Sequence, residues 1–136
     1  MKPKALTVLL ASIALFIVAI PVLAHHSFAA AYDSNNPVTV KGVIVQVRLE
    51  NPHSWFFLDV KGADGKVERW SFEAGTPSGM MRNGFKPGEI KAGTEVTIKG
   101  YHARDLTQKV GMLNELVTAD GKVYGSFGPQ QGPGAQ

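Results

Sequence analysis

The chain contains no cysteine, and that one absence removes disulfides, zinc–thiolate and iron–sulfur centres, and thiol catalysis. Any metal must be held by histidine, methionine, carboxylate or backbone groups. Charge is scarce as well, at 18% of 136 residues, and the formal net charge is only +3. Part of that small excess comes from Lys2 and Lys4 at the start of the chain. Ser27 and Ser54 adjoin histidines, yet no Asp stands at a spacing that marks a nucleophilic triad, so hydrolytic catalysis has little support.

Lys2 and Lys4 precede an uncharged apolar run from Ala5 to Ala24 that ends Val22-Leu23-Ala24, with small residues where a signal peptidase reads. Residues 1–24 are therefore expected to be a signal peptide cleaved after Ala24, with an uncleaved anchor as the alternative. Cleavage removes two of the 14 basic residues and leaves one more than the 11 acidic ones. A nearly neutral domain, periplasmic or secreted, lacks the cationic excess that phosphate binding needs, which argues against a nucleic-acid partner. No stable membrane insertion is expected after cleavage. A monomer held together by core packing alone is the simplest state for a cysteine-free domain of this size.

Residues 25–37 read as an N-terminal arm, with a short apolar patch from Phe28 to Tyr32 and the turn formers Asp33-Ser34-Asn35-Asn36-Pro37. The domain proper is expected over 38–127. Val38 and Val40 share one alternating phase, and Val43, Val45, Val47 and Leu49 share the other, so a bulge is expected at Gly42. Asn51-Pro52 ends that strand. Ser54 to Val60 makes a second, with Phe56, Leu58 and Val60 on one face, and Asp64-Gly65 turns it into a third over Val67 to Glu73. Thr76-Pro77 and Gly84 bracket a short helix over 77–83. Glu95 to His102, Val110 to Ala119 and Val123 to Phe127 complete the strands. Residues 128–136, made of Gly, Pro, Gln and one Ala, have nothing to bury and are expected to be disordered. The fold class predicted is all-β: a small five- to six-stranded OB-like Greek-key barrel with one short helix between strands three and four, a β-sandwich being the alternative.

The four histidines are His25, His26, His53 and His102. Cleavage after Ala24 makes His25 the N-terminal residue, whose α-amine and imidazole chelate one metal ion. A further nitrogen from His53 or His102 then completes a histidine brace, a geometry that suits copper. His26 adjoins that site. Ser27 occupies the third position, where the square-planar amino-terminal copper motif has histidine. Met80, Met81 and Met112 are soft donors for Cu(I), although methionines so placed commonly fill core gaps. The rival account of the histidines is structural: exposed at the terminus, capping a turn at His53, and satisfied at the barrel edge at His102. Trp55, Phe57, Arg69 and Tyr101 are candidates for an outer face that takes a sugar or an aromatic solute, unless Phe28 and Tyr32 of the arm cover it.

The start His25-His26-Ser27-Phe28-Ala29-Ala30, followed by Tyr32-Asp33, Val40-Lys41-Gly42, Asn51-Pro52-His53, Gly100-Tyr101 and Ala119-Asp120-Gly121, resembles a family of short exported bacterial proteins known only as a domain of unknown function. The likeness covers nearly all of residues 25–125 and implies an envelope location with no assigned activity. Ala31 stands where the family pattern has an acidic residue. The expected function is a non-enzymatic periplasmic binding protein that holds copper or another transition metal through His25. The alternative is a metal-free envelope domain that binds a small solute or partner protein on the aromatic face, and an oxidative copper enzyme is a third possibility.

Overall fold

The computed structural model describes residues 30–125. The expected signal peptide, His25, His26 and Phe28 of the arm, and the expected disordered tail over 128–136 lie outside the described residues.

From Tyr32 onward the described residues form, in order, β1 (Tyr32–Arg48), β2 (Trp55–Lys61), β3 (Val67–Glu73), α1 (Pro77–Arg82), β4 (Glu95–Ala103), β5 (Val110–Thr118) and β6 (Val123–Gly125). Strand β1 pairs antiparallel with both β2 and β4. The β2–β3, β4–β5 and β5–β6 ladders are antiparallel as well. A short parallel ladder, Ser71↔Val110 to Glu73↔Met112, then joins β3 to β5. Pairings therefore run in a ring, β1-β2-β3-β5-β4 and back to β1, and the all-β OB-like barrel expected from the alternation is the observed architecture. Closure depends on Gly111. It faces inward at the junction, and a Cβ there would stand 2.6 Å from the Phe72 ring.

The barrel interior is filled by the inward phase of each strand: Ile44, Phe56, Leu58, Phe72, Val96, Ile98, Leu113 and Leu116 are all almost fully buried. α1 closes one region of this core. The Thr76 hydroxyl accepts the Gly79 N–H at 3.1 Å and caps the helix, which delivers Met80 to the interior. Phe85, just beyond it, meets Phe56 and Tyr124 edge-on at 5.9 and 5.7 Å.

Two details of β1 differ from the alternation reading. The turn formers from Asp33 to Pro37 are part of the strand rather than the arm, because Tyr32 and Pro37 both pair with β4. The residues between them are taken up by a register shift, within which Asp33 accepts the Asn35 N–H. The bulge also falls later than Gly42, between Ile44 and Gln46. Val40, Gly42 and Ile44 keep one inward phase, leaving Val43 exposed, and Val47 turns in only after the shift. Gly42 answers a different constraint, since a Cβ there would lie 2.4 Å from the Asp59 carbonyl oxygen. Glycine is required by close backbone approach.

Candidate functional site

Strand β2 is preceded by a loop over 49–54, and the backbone beyond the β2–β3 ladder holds that loop in place. Ser54 donates its N–H to Gly75 at 3.0 Å, and Ala74 donates to Ser54 at 2.8 Å. This pairing continues the alternation of the strands, so Ser54 and Ala74 point into the barrel while His53, Trp55 and Glu73 share the outer phase. Ser54 is fully buried, and its hydroxyl oxygen has no partner among the described residues.

Glu73 is the centre of the resulting constellation. Although its strand position faces outward, its side chain is only 14% exposed. One carboxylate oxygen accepts from Nδ1 of His53 and the other from the hydroxyl of Tyr32. Tyr32 is itself buried, and burial foremost, with the Glu73 hydrogen bond second, pushes its pKa far above the ordinary phenol value. It stays a proton donor. With Nδ1–H engaged by the carboxylate, the neutral His53 ring keeps its lone pair on Nε2, on a side chain that is half exposed. That nitrogen can coordinate a metal ion or accept a proton.

His102 sits near the end of β4, two strands around the ring from Phe72 through Gly111. Its Nδ1 lies 2.8 Å from the Ala103 carbonyl oxygen, an acceptor, so this ring too keeps Nε2 unprotonated when neutral. Its edge packs on Trp70 at 5.4 Å. Lys109, which pairs with Glu68 at 3.2 Å, lies 5.6 Å from the Trp70 ring. Among the described residues no three His, Asp or Glu side chains are grouped to hold a metal ion. Of the methionines, Met80 belongs to the core, Met112 is buried, and Met81 is exposed.

The aromatic candidates divide between strands. Trp55 and Phe57 are half-buried neighbours on the outer face of β2, with rings 6.4 Å apart and 24° from parallel. The Arg48 guanidinium lies 4.9 Å from the Phe57 ring centre. Arg69, on β3, reaches Asp59 on β2 at 2.5 Å. Tyr101 lies on β4, which pairs with neither of those strands.

The sequence reading missed Glu73 and saw Tyr32 only as part of a cover. The one available signal was the outward phase of Glu73 at the end of a strand, directly opposite Trp55.

A search of curated proteins finds no match to the chain. The model of a family of unknown function, DUF6152, matches residues 13–112, a span that contains β1 to β4, α1 and the whole Tyr32–Glu73–His53 constellation. The chain belongs to that family.

Proposed function

We propose that the chain is an exported, periplasmic or secreted binding protein that holds a transition metal, copper foremost, with Nε2 of His53 as a preset ligand. The N-terminal chelate expected at His25 is its companion, with His26 and His102 as further imidazoles. One observation carries this reading: the Glu73 carboxylate, itself fixed by Tyr32, takes Nδ1–H of His53 and leaves Nε2 outward. A carboxylate behind a histidine is the usual support of a metal-binding imidazole, because it fixes the tautomer and raises the basicity of the coordinating nitrogen. Imidazole and amine nitrogens favour copper, which heads the divalent affinity order.

The test uses the chain beginning at His25, its N-terminus confirmed by mass spectrometry, titrated with Cu(II) and followed by electron paramagnetic resonance. A nitrogen-rich signal is expected. One extra N-terminal alanine should abolish the chelate contribution, His53→Ala should remove a nitrogen from the spectrum, and Glu73→Gln should weaken binding by about 10- to 100-fold. Weak binding that is indifferent to all three changes would retire the copper reading.

A further inference from the structure

We infer that the outer face of β2 and β3 is a binding surface for a neutral saccharide, a function independent of metal at His53. Four observations lead there. First, the inner face of β2 is already filled by Phe56 and Leu58, so Trp55 and Phe57 are not needed to complete the core. They lie side by side on the outside, half-buried and nearly parallel. Second, their neighbours in register are polar. Gln46 and Ser71 flank Phe57, Arg48 and Glu73 flank Trp55, and the next row of the same face is the Asp59–Arg69 pair.

Third, that mixture has the chemistry of a sugar ring. A pyranose presents an apolar C–H face and a rim of adjacent hydroxyls. An aromatic surface accepts the former, and planar groups such as guanidinium, carboxylate and amide bond two neighbouring hydroxyls at once. Fourth, the cations beside the two rings are paired: Arg69 is held by Asp59 and Arg48 lies 3.5 Å from Glu50, while Glu73 adds a carboxylate next to Trp55. A face with its cations balanced offers little to a phosphate or sulfate polymer, which requires unpaired Lys and Arg. The ligand class that fits is therefore an uncharged oligosaccharide.

Isothermal titration of the same His25-start chain, without metal, with cellohexaose, laminarihexaose, chitohexaose and maltohexaose tests this, with a heparin hexasaccharide as the anionic comparison. At least one neutral hexaose should bind, more tightly than the heparin fragment. Trp55→Ala and Phe57→Ala should each lower that affinity by about tenfold, the size expected for one lost stacking contact. Trp55→Phe, which keeps a ring and guards against a folding defect in the alanine variant, should retain most of it. His53→Ala should leave saccharide binding unchanged while taking one nitrogen from the copper spectrum, so the two readings fail separately. No heat with any neutral hexaose, preference for heparin, or binding indifferent to Trp55→Ala in a natively folded variant would each overturn the proposal.

Discussion

Both oxygens of Glu73 are committed, one to a buried phenol and one to a half-exposed imidazole, and the two partners depend on it unequally. Glu73→Ala would remove the carboxylate that accepts from the buried Tyr32 hydroxyl, a loss of about 1–3 kcal/mol measurable by urea unfolding. His53→Ala should cost less than about 1 kcal/mol, since that ring is 51% exposed. Tyr32 also gives a signature in pH. Its pKa is raised in the folded state above the ordinary value of 10.0, so the contribution is fully present at neutral pH. As pH climbs past 10 the unfolded chain ionises first, and stability falls by up to about 1.4 kcal/mol per pH unit. Tyr32→Phe should flatten that part of the stability profile relative to the wild type. None of this was legible as a local pattern. His53 stood out by residue type, but its carboxylate lies 20 positions away and the phenol is separated from that carboxylate by 41. Only the paired strands bring them together.

At the scale of the element, alternation was a good guide wherever a strand has one face in the core. β2 and β3 begin and end within a residue of the expected positions, because Phe56, Leu58, Trp70 and Phe72 fill every inward position but those at the turn end. The helix was equally legible, since Thr76, Pro77 and Gly84 act through local backbone geometry. β1 was harder, for a physical reason. Its turn formers favour local hydrogen bonds, and one of them, from the Asn35 N–H to Asp33, persists in a register shift that pairing of Tyr32 and Pro37 with β4 holds at both ends. A glycine in a strand signals either a bulge or a close approach, and only the neighbouring backbone distinguishes the two. Gly42→Ala decides the matter by experiment. Its methyl would collide with a backbone oxygen that cannot swing aside, so a destabilisation of about 3 kcal/mol is expected in a urea titration, whereas a bulge glycine without close neighbours would tolerate alanine far better.

Of the five ladders that make the closed ring, the one between β3 and β5 is the shortest. Three residue pairs join β3 to β5, while β1 and β4 share pairs from Tyr32↔Ala103 to Val43↔Glu95. Local opening should start at the weaker seam. In native-state hydrogen exchange the Ser71 amide, bonded to Lys109 across that seam, is expected to exchange ahead of the Ile98 amide in β4, and equal protection of the two would show that the barrel opens only as a unit. The OB-like barrel itself was anticipated from the succession of three strands, a helix and further strands. The placement of the aromatic candidates on two separate parts of the ring was not, because alternation tells which residues face outward and leaves open which strands are neighbours. β1 has a further consequence, a mechanical one. It is 17 residues long and paired on both flanks, and its hydrogen bonds lie across its length. A pull on the chain ahead of Tyr32 therefore acts in shear on many bonds at once, so the barrel resists traction from its N-terminal side far better than peeling of the three-residue β6 from the edge of β5.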